Sequence, residues 1–84
     1  MSSVADAAYA TVHDYKGGCD ALGPRVGITP RVLNSKVLPT TSSHHLSLDE
    51  AVRIMAVTGD HRILQAICRH LGYLDPIRAV VYEG

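Results

Sequence analysis

The sequence predicts an all-α fold, a compact domain of four to five short helices. Two observations carry that expectation. Apolar residues recur three and four positions apart along most of the 84-residue chain, the period of an amphipathic helix. Between those stretches stand residues that start and stop helices, spaced too closely for any long element.

The first helix is expected over Val4 to Tyr15, where Val4, Ala7, Ala8, Val12 and Tyr15 share one stripe. Ser2 or Ser3 supplies a hydroxyl for its free N-terminal amides, and "KGG" (16–18) stops it. Gly18 to Val26 is a second candidate, with Cys19, Leu22 and Val26 along one side. Pro24 lies inside it. An interior proline removes a backbone bond and costs about 3 kcal/mol, so this helix is expected to be short, kinked or partly 3₁₀. Gly27 follows where a helix end wants a left-handed residue. Thr29 then fits an N-cap, and Pro30 the first helical position, where a missing N–H does no harm. Leu33 and Val37 form an i, i+4 apolar pair on the third helix, and "PTTSSHH" (39–45) reads as a polar loop.

"SLDE" (47–50) is a capping box that announces a fourth helix through about Val57, with Leu48, Val52, Met55 and Ala56 as its expected buried stripe. In "TGD" (58–60) Gly59 closes that helix and Asp60 caps the next. The fifth helix is expected from His61 to Leu71, burying Ile63, Leu64, Ile67 and Leu71 and ending at Gly72. The remaining "YLDPIRAVVYEG" begins with a proline-broken turn and gives no clear period.

At this length the chain is one domain, 1–84, burying only about 60–65% of its unfolded surface. Without Trp or Phe, its core must come from Leu, Ile, Val, Ala and a few Tyr. Lys+Arg 8 balance Asp+Glu 8, which gives no global pull toward nucleic acid. The distribution is uneven. Residues 16–36 hold Lys16, Arg25, Arg31 and Lys36 against Asp20 alone, a local +3, and the remainder carries −3. No leader is expected from "MSSVADAAYA", which lacks a basic end and a long apolar run. No stretch approaches the ~20 apolar residues of a membrane span. Cys19 and Cys68 are expected as free thiols of a reduced cytoplasmic protein.

The segment from Cys19 to Val37 has the rhythm of a helix-turn-helix. Where two helices cross steeply a small residue is needed, and Gly23 occupies that place. Four positions on, Gly27 opens the turn at a positive φ that only glycine adopts cheaply. Ile28 plugs the angle, and Val26 and Leu33 seal it. That leaves Thr29, Pro30, Arg31, Asn34, Ser35 and Lys36 off the buried stripe. Thr29 and the free amides of the first turn suit a phosphate. Arg31 and Asn34 can make bidentate contacts to guanine and adenine edges, and Lys36 and Arg25 suit backbone phosphates. The expected site is therefore Arg25, Thr29, Arg31, Asn34, Ser35 and Lys36, with double-stranded DNA as partner. The competing reading is an interhelix corner with no DNA role, favoured by the zero net charge and the modest local basicity.

"DYKGGC", "LNSKV" with nearby Pro39, "HHLSLDEA" and "TGDHRIL" resemble the phage regulatory CII-like family of temperate phages and prophages. The similarity runs from about residue 9 to about residue 74. Such proteins are regarded as DNA-binding regulators involved in establishing lysogeny. The resemblance implies a lambda-repressor-like helix-turn-helix and a regulator that is oligomeric, without fixing its base contacts. Gly23 stands where alanine is usual and should weaken the second helix; the chain after Leu74 lies outside the similarity.

Other chemistry fits less well. His44–His45, and His61 with Cys68 and His70, lack the converging three or four ligands of a zinc site. Catalysis is not expected either. No Ser-His-Asp order or phosphate-cradling loop stands out, and Asp49, Glu50 and Asp60 are explained by caps. No metal or other cofactor is therefore expected. Ile77, Val80, Val81 and Tyr82 would lack cover if the fifth helix is fully used in the core, so residues 73–84 are expected to build a homo-oligomer. The alternative function is a helical protein-interaction module that docks on another regulator or on RNA polymerase.

Overall fold

Ser3 begins the first helix as a complete capping box. Its hydroxyl accepts from the Asp6 N–H at 3.0 Å, while its own N–H donates to Asp6 Oδ2 at 3.3 Å. In the computed structural model, which describes residues 3–40 and 44–79, five α-helices follow in chain order. They are α1 (Val4–Asp14), α2 (Gly18–Val26), α3 (Pro30–Val37), α4 (Leu48–Thr58) and α5 (Arg62–His70). No strand occurs among the described residues, so the expected all-α class holds. Ser2 as an alternative cap, residues 41–43 of the polar loop, and Val80, Val81 and Tyr82 lie outside the described residues.

The breaks between helices follow the backbone chemistry read in the sequence. Gly17 is left-handed at φ 90° and caps α2. Gly27 ends α2 at φ 75°, and the Ile28 N–H donates to Gly23 O at 3.0 Å, the six-to-one bond of a Schellman end. α2 is a regular nine-residue helix with Pro24 inside it, short as expected but α-helical throughout. Pro24 is its third residue from the end and exposed, so the lost bond falls at its solvated margin. Thr29 is the N-cap of α3 with Pro30 first in the helix. Ser47 and Glu50 close the second capping box. Asp60 acts on α5 one position before the N-cap, His61, its Oδ1 accepting the Arg62 N–H at 3.1 Å.

α1 packs against each of the other four helices, most extensively against α5. The core is a single cluster of Ala7, Ala8, Val12, Leu22, Val26, Ile28, Leu33, Val37, Ile54 and Ile63. Thr11 is buried among them and satisfied, its Oγ1 donating to Ala7 O at 2.9 Å. Arg62 ties α5 back to α1 by an ion pair to Asp14 at 2.8 Å.

The faces of α4 and α5 differ from expectation. In α4 the fully buried residue is Ile54, at 0% exposure, whereas Leu48 is 85% and Val52 61% exposed. Ala56 is exposed too, and Met55 alone of the expected stripe packs against the core. The cause is orientation: α4 turns its Ile54 side inward and makes polar links through Arg53 and Glu50 to the helices before it. On α5 Ile63 is buried and Ile67 half-buried, but Leu64 and Leu71 are exposed. α5 packs on the core through Ile63, Ala66 and Ile67. Residues 73–79 follow without regular structure, with Tyr73, Leu74 and Ile77 exposed and Arg69 forming a two-bond pair with Asp75.

Candidate nucleic-acid interface

The site is built at the corner where α2 meets α3. Gly23 permits the approach: a Cβ there would stand 2.5 Å from Ile28 O and 3.1 Å from Pro30 N. Both neighbours are backbone, so neither can swing aside. Ile28, Val26 and Leu33 are buried behind the corner, in the roles expected of them. The glycine that departs from the resembled pattern is therefore required by this packing, and the helix is shaped around it.

In front of the corner lies an open depression lined by Thr29, Pro30, Arg31 and Asn34 from α3 and its cap, and by His13, Cys19 and Asp20 from α1 and α2. Thr29 makes no side-chain capping bond. Its hydroxyl and the amides of Arg31 and Val32, which have no carbonyl one turn back to bond, point the donor-rich end of α3 outward. A helix N-terminus carries a partial positive charge that favours an anion. Arg31 is exposed and Asn34 half-buried, and neither side chain forms a hydrogen bond or ion pair with another described residue.

The other expected residues divide. Arg25 lies at the exposed end of α2, its guanidinium donating to the Tyr15 hydroxyl and 6.0 Å from the centre of that ring. It keeps a charged head in solvent beside the corner. Ser35 is half-buried one position past Asn34 and does not line the depression. Lys36 points away to α4, where its Nζ meets Glu50 Oε1 at 3.1 Å and donates to His45 O at 3.3 Å. The lysine is thus engaged within the fold.

Three lining residues were not among those expected: His13, Cys19 and Asp20. His13 stacks with Tyr9 at 4.2 Å between ring centres. Cys19 is a free thiol pushed above its ordinary pKa by burial and then by the charge of Asp20. Cys68 is free as well. The helix-turn-helix rhythm of Cys19 to Val37 and the local +3 of residues 16–36 marked this neighbourhood in the sequence, but they pointed to the polar face of α3 and the basic residues, not to His13, Cys19 or Asp20.

α4 braces the corner from behind. Arg53 Nη1 donates to Val26 O at 2.8 Å, covering a carbonyl at the end of α2. Glu50 holds Lys36 and also accepts from Ser47 N at 2.8 Å. The carboxyl of Glu50 is held below the usual range, first by that Ser47 amide and then by Lys36 against the opposing effect of burial.

Among the described residues no three His, Cys, Asp or Glu side chains converge as a metal site. No helix there is long and apolar enough to cross a membrane. A family model described as phage regulatory protein CII (CP76) matches residues 2–78. No curated protein and no solved structure matches the chain.

Proposed function

The chain belongs to the phage regulatory protein CII family, and from that premise we propose that it is a sequence-specific DNA-binding transcription regulator that controls lysogeny. The α2–α3 unit works as a lambda-repressor-like helix-turn-helix, with α3 laid in the major groove. The observation that carries this reading is that Thr29, Arg31 and Asn34 line one open depression with no side-chain hydrogen bond or ion pair to another described residue. Arg31 reads guanine and Asn34 adenine by paired hydrogen bonds. Thr29 with the α3 amides, and Arg25 beside them, hold phosphates and set register. Ser35 stands at the margin of the contact, and Lys36 supports α3 from within.

With balanced charge overall, one subunit offers few phosphate contacts, so a homo-oligomer is part of the proposal. Leu71, Tyr73, Leu74 and Ile77 are apolar and exposed in and after the last turn of α5. They supply the surface for pairing copies and spacing two α3 helices about one DNA turn, ~34 Å, apart. Selection from a randomised duplex library tests the whole: the protein enriches a sequence with two related half-sites. Recovery of unenriched sequence at low salt overturns the proposal.

One observation favours a second reading. Leu48 and Val52 are exposed one turn apart on the outer side of α4, a surface suited to docking on another regulator or on RNA polymerase. Under that reading Leu48→Asp with Val52→Asp abolishes control of the target promoter while DNA affinity stays intact.

A further inference from the structure

Three of the helices described carry an aspartate or glutamate at the third helical position, and only two close a capping box with it. At that position Asp6 accepts from the Ser3 amide and Glu50 from the Ser47 amide, closing the two capping boxes. Asp20 is the third residue of α2, after the N-cap Gly17. It makes no such bond, and it forms no hydrogen bond or ion pair with any described residue. Its exposed carboxylate instead lines the depression shared with Thr29, Arg31 and Asn34. Arg31, the opposite charge across the same depression, is likewise unpaired.

We infer that Asp20 is a specificity-determining residue of the interface, an acceptor-only group on the α2 side of the depression that repels a phosphate misplaced there and admits an amino group of a base, while the Thr29 end of α3 keeps its phosphate contact. The inference rests on the DNA-binding reading above and adds what that reading lacks. A face made only of Arg31, Asn34, Thr29 and helix amides attracts any phosphate backbone, and non-specific binding then competes with the operator. One unpaired carboxylate repels a misplaced phosphate. It also accepts a hydrogen bond from the N4 amine of cytosine, or from the N6 amine of adenine, in the groove.

The test uses the full chain and two fluorescent duplexes, one carrying the sequence enriched by selection and one a scramble of equal composition. Asp20→Asn binds the scramble more tightly than wild type, and the ratio of the two affinities falls about fivefold or more, the effect of one lost base discrimination. Asp20→Glu keeps an acceptor-only carboxylate and retains more of that ratio than Asp20→Asn does. An unchanged ratio in Asp20→Asn at wild-type helix content overturns the inference. So does a loss of helix content by circular dichroism that accounts for the change, because the carboxylate then serves only the start of α2. If wild type itself does not distinguish the two duplexes, the DNA-binding reading has failed, and that outcome is separate from the behaviour of Asp20.

Discussion

Lys36 Nζ lies 3.1 Å from Glu50 Oε1, with both side chains mostly withdrawn from water, so the last turn of α3 is fastened to the first turn of α4. A lysine that sequence pattern assigns to DNA is thereby given a structural task. Lys36→Ala is expected to lower stability by about 0.5–1 kcal/mol, the worth of a favourable but partly exposed pair. It leaves the salt dependence of DNA binding unaltered. Urea unfolding and anisotropy titrations at several salt concentrations check both halves. A slope reduced by about one counterion would return Lys36 to the phosphates.

The same pair gives a pH signature. Glu50 is held below its ordinary range by the Ser47 amide and by Lys36. A carboxyl depressed in the folded state contributes stability that is present above its unfolded pKa and lost as pH falls through the folded one. Glu50→Gln keeps the capping geometry but not the charge. The stability gap between wild type and this variant is expected to be constant above about pH 5 and to close below about pH 4. Unfolding midpoints across that range measure it; a gap that widens in acid contradicts the assignment.

Gly23→Ala improves intrinsic helix propensity by up to about 1 kcal/mol, yet it is expected to destabilise. The new Cβ would meet Ile28 O at 2.5 Å, and backbone must move to relieve it. A net loss of about 1–3 kcal/mol follows, with weaker DNA binding because α3 shifts. Thermal denaturation decides the sign, and a raised midpoint would show that the corner is looser than its geometry.

Much of this was legible because it is local. Ser3 with Asp6, Ser47 with Glu50, Gly27, Gly59 and Thr29–Pro30 each act within four residues, so spacing alone reveals them. The family, too, was legible in short local motifs, and the family match bears it out, though it spans residues 2–78 and so reaches past Leu74, where the resemblance was expected to end. The inner face of α4 was not legible, since Leu48, Val52, Met55 and Ala56 make as good a helical stripe as the side containing Ile54. Packing against α1 and α2 chooses between them. Lys36 finds its partner fourteen positions away, and Asp20 reaches the α3 depression through the turn of the chain at Gly27. No periodicity encodes either meeting.

Oligomer formation is expected to depend on the apolar side chains beyond α5. Leu74 and Ile77 are 92% and 96% exposed, and neither supports the core. Leu74→Glu with Ile77→Glu is expected to reduce the mass in light scattering to that of one chain without lowering helix content. A chain truncated after Gly72 does the same. Unchanged mass in both would remove this surface from the assembly.

In the proposed complex α3 reads DNA through Arg31 and Asn34, side chains with no partner among the other described residues. The direct measurement is the affinity of Arg31→Glu for the duplex enriched by wild type, taken at low salt, where electrostatic binding is strongest. Loss of a guanine contact alone is worth about 1–3 kcal/mol, and charge reversal adds repulsion from the backbone. Arg31→Glu is expected to lose at least about tenfold in affinity with wild-type stability. Binding equal to that of wild type would contradict the proposed reading.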